Sequence, residues 1–196
     1  MDLKTEQRRS AMPVSVKGAV ELRSALRQFS PDLAKELPRE MAAALKPVVR
    51  NARGYMPSES QIISNWSVFG KNITAQSSAF SNAKFPKYVA SVVKANIGYK
   101  TSPSKPNSNG FRSLAQLFNK TRAGSIYETA GRKTPGSLFV KNISKKYSND
   151  LQGDGAFEGR ALYRAYEEDR GKAQDGVLKA IEKAKDNLNK KTKVAN

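Results

Sequence analysis

"PDLAKELPREMAAALKPVVRNARGY", residues 31–55, decides how this chain folds. Leu33, Leu37, Met41, Leu45, Val48, Ala52 and Tyr55 follow one another at spacings of three and four. That places them on one face of an amphipathic helix. Pro38 and Pro47 interrupt the pattern. Each removes an i→i−4 hydrogen bond and disfavours helix at the residue before it. The stretch is therefore expected to be a kinked helix, or a short turn followed by a longer helix from about Pro38. Ser30 suits its N-cap and Pro31 its first position, where no N–H is needed. Gly54 and Pro57 mark its end.

Working outward, residues 1–13 are polar and without periodicity, and read as a flexible arm. "GAVELRSALRQF" from Gly18 brings Ala19, Leu22, Leu26 and Phe29 to one helical face. On the C-terminal side the character changes. "QIISNWSVFG" (residues 61–70) alternates like a strand, and "NITAQSSAF" (residues 72–80) is a weaker strand candidate. "FPKYVASVVKANIGYKT" allows a helical turn at Val89, Val92 and Val93 before extending toward Ile97 and Tyr99. "TSPSKPNSNG" (residues 101–110) has no apolar anchor and reads as an exposed loop or hairpin tip. "FRSLAQLFNKT" and "GSIYETAG" are two short elements bounded by Gly110, Gly124 and Gly131. From Phe157 helical spacing returns: Phe157, Ala161 and Ala165, then Val177, Ile181, Ala184 and Leu188. Gly171 and Gly176 each cost about 1 kcal/mol against Ala in a helix interior and mark a bend or weak point. Glu168–Lys172 and Asp175–Lys179 are acid-before-base pairs at i,i+4.

The order implies an α+β domain over residues 14–190: a small twisted antiparallel sheet packed on N-terminal helices, with a long C-terminal helix. Its expected parts are helical residues 14–55, a strand-rich 61–140 with the loop at 101–110, and a helix over 156–189. Residues 191–196 form a flexible tail.

Cysteine and histidine are both absent. That excludes disulfides, Cys/His metal sites and every His-based triad. No apolar run approaches the roughly 18 residues that span a bilayer, so no membrane partner is expected. The N-terminus lacks the apolar centre of a secretory signal. Net charge is +18. Residues 61–150 hold fourteen bases and two acids, Glu128 and Asp150, and so carry +12 of it. Such a field suggests a polyanion or an acidic protein surface nearby, the alternative being a basic surface that serves solubility alone.

Within that tract Glu128 stands alone between Arg122 and Arg132. Taken as a residue of a short strand, it shares a face with Ile126 and Ala130. Its expected partner is one of Arg122, Arg132 and Lys133, or an arginine of an adjacent subunit. No catalytic, cofactor or metal residues emerge. "GRKTPGS" (residues 131–137) lacks the phosphate-loop spacing and reads as a turn. Glu167, Glu168 and Asp169 read as a solvated helix face. Phe80, Phe85, Phe111 and Phe118 fit core positions better than a base-stacking platform. "SVVK" (Ser91 to Lys94) matches a Ser-x-x-Lys hydrolase spacing only at chance level.

"VKGAVELRSALRQFSPDLAKELPREMAAALKPVVRNARGYMP" (residues 16–57) opens with the pattern (V/I)-x-G-x-x-x-L before a helix pair ending in a Pro turn. "FPKYVASVVKANIGY" (85–99), "GSIYETAGRK" (124–133) and "GRALYRAYEEDRGKAQDGVLKAIEKA" (159–184) follow in order. Together, over about residues 14–190, these resemble the tail-completion, or head–tail joining, neck proteins of siphophages, in the form found in phages of actinobacteria. "IYETAGRK" and "GRALYRAYEE" are the more specific motifs. The resemblance implies a virion structural protein with a small sheet packed on helices and no catalytic residues. It implies a homo-oligomeric ring, usually of six, at the head–tail junction, assembled in the host cytoplasm. Connector or stopper, tail terminator and tail-tube proteins would be its neighbours, and genomic DNA would pass through the bore. The alternative on charge alone is a basic nucleic-acid-binding protein.

Overall fold

The computed structural model describes residues 19–62, 86–110, 112–133, 135–147, 150–152, 158–169 and 171–194. Among these, helices α1 (Ala19–Phe29), α2 (Pro31–Tyr55) and α3 (Ala90–Ala95) precede strands β1 (Ile97–Lys100) and β2 (Gln116–Asn119). Helices α4 (Arg122–Thr129), α5 (Leu138–Tyr147), α6 (Leu162–Glu168) and α7 (Lys172–Val194) follow. The fold is α+β, as expected. The arm at 1–13 and the strand candidates at 61–70 and 72–80, apart from Gln61 and Ile62, lie outside the described residues.

Helix α2 is the spine. It is one uninterrupted helix through Pro38 and Pro47, because its buried stripe outweighs the two lost hydrogen bonds. Leu33, Leu37, Met41, Leu45, Val48 and Ala52 are all buried. The stripe faces two clusters rather than the sheet alone. Its first half, Leu33, Leu37 and Met41, packs with Leu26 of α1 and with Ala180, Ile181 and Ala184 of α7. Its second half, Leu45, Val48, Val49 and Ala52, packs with Tyr88, Val93, Ile97, Tyr127, Ile143 and Ala165. Arg53 ties the end of α2 to β1 by donating from Nε and an Nη to the Ile97 carbonyl at 3.2 and 2.7 Å.

Ser30 occupies the N-cap of α2 with Pro31 behind it, but its hydroxyl makes no cap bond. That hydroxyl instead accepts from Lys191 Nζ at 3.1 Å. Phe29, expected on the buried face of α1, is 65% exposed. It is the last residue of its helix, and the chain turns into α2 at the next residue.

Within the region 61–140 the described residues hold both strands together with helical segments. Among its described residues the sheet has two four-residue strands, paired antiparallel from Ile97↔Asn119 to Lys100↔Gln116. Residues 122–129 form a helix, not a strand. Thr121 starts it: its hydroxyl accepts from Gly124 N at 3.1 Å. The loop at 101–110 is the exposed connection between the two strands.

The C-terminal helix is two helices. Gly171 has φ +81°, a left-handed conformation that glycine adopts without steric cost. Glu168 and Lys172 therefore sit on different helices, and Glu168 is bonded instead to Arg164, Nε to Oε1 at 2.9 Å. Helix α7 runs on to Val194, four residues into the segment expected to be a tail, with Lys191 and Lys193 placed where a helix end favours cations. A Cβ on Gly176 would lie 2.6 Å from Ala44 Cβ. The bare glycine lets α7 lie close against α2.

Candidate functional site

The site singled out by sequence is Glu128 with Arg122, Arg132 and Lys133. Glu128 is the penultimate residue of α4 and 4% exposed. Where the sequence suggests a cation as its partner, the structure gives three backbone amides. Oε2 accepts from Ala161 N at 3.1 Å and Leu162 N at 3.0 Å, and Oε1 from Tyr163 N at 2.9 Å. These are the amides that open α6, whose N-cap residue, Ala161, has no side chain able to cap them. The first amides of a helix have no partner within it and carry its positive end. A carboxylate is the best acceptor for them. Glu128 is thus an N-cap supplied from 34 residues away.

The contact is reciprocal. Arg160 is only 1% exposed, and its guanidinium reaches back to the end of α4. One Nη donates to the Tyr127 carbonyl at 2.9 Å and to the Ala130 carbonyl at 2.6 Å. These carbonyls lie at the negative end of α4, where a cation is favoured. Burial lowers the Arg160 pKa from its ordinary value, opposed by the nearby Tyr127, Asp150 and Glu128. Gly159 makes the approach feasible: a Cβ there would collide with Glu128 Oε1 and sit 2.8 Å from Tyr163 Cβ.

Arg132 joins the same junction. It donates to the Glu158 carbonyl, and its guanidinium lies 4.6 Å from the centre of the Tyr163 ring, within cation–π range. Arg122, at the start of α4, and Lys133, beyond its end, have exposed side chains. Of the four predicted residues the structure therefore brings Glu128 and Arg132 to one place. Arg160 and Gly159 complete the junction and were not singled out by sequence reasoning. Their signal was the motif "GRALYRAYEE" itself, whose first two residues they are.

The same device recurs at α3. Val89 precedes it without a capping side chain, and Ala90 N donates to Glu59 Oε1 at 2.6 Å. A further cluster joins α2 to α6. Tyr55 donates its hydroxyl proton to Glu168, and Arg164 stacks 4.1 Å from the Tyr55 ring centre. Hydrogen bonds from Tyr55 and then Arg164 hold the Glu168 carboxyl below its ordinary pKa, and the same bond raises that of Tyr55. Asp169 accepts from Ala173 N at 2.5 Å in the first turn of α7. The acids at 168 and 169 thus hold elements together rather than forming only a solvated face.

Chemically, this arrangement positions backbone. Each Glu128 oxygen is already occupied by amide donors. Ser91 and Lys94 lie within the short helix α3, Ser91 exposed. Phe118, a candidate core residue, is only partly buried, on the face of the sheet opposite Ile97. Among the described residues no group of three His, Cys, Asp or Glu side chains could hold a metal. No helix among them is long and apolar enough to cross a membrane. No family model matches the sequence, and no curated protein or solved structure is similar to it.

Proposed function

We propose that this protein is a structural component of a phage neck, a ring subunit that joins the tail tube to the head connector around the path of the DNA. The mutual capping of α4 and α6 carries the reading. The two more specific motifs of the neck-protein resemblance, "IYETAGRK" and "GRALYRAYEE", supply Glu128, Arg132, Gly159 and Arg160 to one junction. Residues distinctive in sequence are thus spent on architecture, as a scaffold requires. The test is the mass of the free protein by light scattering, beside its mass after mixing with tail-tube fractions. The reading expects a small free species that becomes a ring on tails. A mass indifferent to tails would contradict it.

A second reading, nucleic-acid binding, is favoured by one observation. Glu128 is the only acid between residues 61 and 149, and it is buried. Among the described residues of that tract, the surface carries cations without an exposed carboxylate.

A further inference from the structure

We propose that the β1–β2 ribbon is a docking surface for the phosphate backbone of duplex DNA, an inference that rests on the nucleic-acid reading and gives it a place. The pairing Gly98↔Phe118 puts Gly98, Lys100, Gln116 and Phe118 on one side of the ribbon. Ile97, on the other side, is fully buried. Lys100 Nζ lies 5.9 Å from the centre of the Phe118 ring and Lys120 Nζ 5.2 Å from it. The ring covers Gly98, where a Cβ would stand 3.0 Å from it. One aromatic ring thus gathers two ammonium groups on an exposed face.

The connection between the strands adds Lys105 and Arg112, both exposed. It is tied across its base by Ser104 N donating to the Ser113 carbonyl at 2.9 Å, and by Ser113 N donating to Ser104 Oγ at 2.9 Å. Gly110 N closes the tip onto the Asn107 carbonyl at 2.9 Å. From residue 97 to 120 the sequence holds no acid.

Chemistry selects the partner. A protein interface needs a buried apolar or aromatic anchor. Among the described residues, the outer face of the ribbon and the connection between its strands offer Lys, Arg, Ser, Asn and Gln, the groups that contact phosphates, and Phe118 lies under two of the cations. A single strand would need aromatic faces free for stacking, and Phe118 is taken. A duplex asks only for spaced cations.

The probe is a DNA duplex of about 30 base pairs, titrated by fluorescence anisotropy between about 50 and 200 mM salt. Four cations on phosphates give a log–log slope of about −3.6, a loss of roughly 150-fold over that range. Lys100→Gln with Lys120→Gln should bring the slope to about −1.8. Lys105→Gln with Arg112→Gln should do the same from the tip. Lys190→Gln with Lys193→Gln, on α7, should leave it unchanged. Absence of duplex binding at low salt would end the nucleic-acid reading itself. Binding with an unchanged slope in both ribbon variants, or an equal fall in the α7 variant, would overturn only the placement. Tighter binding to a single strand, or to polyglutamate, would overturn the duplex as occupant.

Discussion

Replacing Glu128 by Gln keeps the shape of the side chain but turns an NH2 toward amides that are themselves donors. Hydrogen bonds to a charged group contribute about 1.5–3 kcal/mol, so the isolated chain should lose about 2–3 kcal/mol in urea unfolding. An unchanged unfolding midpoint would mean that the amides of α6 do not depend on this carboxylate. Gly159→Ala approaches the same contact by a different route, since its methyl would occupy the space of a Glu128 oxygen. It should destabilise by a similar amount without altering any charge. Glu168 gives the pH dependence. Its folded pKa is depressed by Tyr55 and Arg164, so its contribution is complete above the ordinary value of 4.5 and is lost as pH falls through the lower folded value. Glu168→Gln should remove that acid-side loss, measured as the difference in melting temperature between pH 6 and about pH 3.

At the scale of elements, two helical glycines should respond with opposite signs. Around Gly54, near the end of α2, a Cβ would meet nothing within 4 Å. Gly54→Ala should then stabilise by roughly 0.5–1 kcal/mol through helix propensity. Gly176→Ala has the same propensity gain but must push Ala44 aside, so its melting temperature should fall. Stabilisation by both would mean that α2 and α7 do not pack closely. Leu45→Ala in α2 should cost about 2–5 kcal/mol. The stripe of α2 was legible because burial repeats with the local period of the helix, whatever lies opposite. Helix α4 was not: Gly124, Ile126, Tyr127 and Thr129 are weak helix formers, and its ends are held from outside. Thr121 caps one end, and Arg160, 30 residues beyond Ala130, caps the other. Spacing within eight residues carries no record of that.

For the whole molecule, the charge excess of the middle tract was legible from composition, but the role of Glu128 was not. Read locally, a carboxylate among cations looks like a surface ion pair. In the fold it is turned inward, where it fastens α4 to α6 and leaves the surrounding surface basic. Both proposed functions draw on that arrangement, one on the junction and the other on the uncompensated surface. Amide hydrogen exchange at Ala161, Leu162 and Tyr163 measures it most directly. The opening amides of a helix ordinarily exchange fast for want of a partner. Here the three should be protected like amides inside the core, and Glu128→Gln should return them to fast exchange while the interior of α2 keeps its protection. Free exchange of these three amides in the unaltered protein would contradict the account.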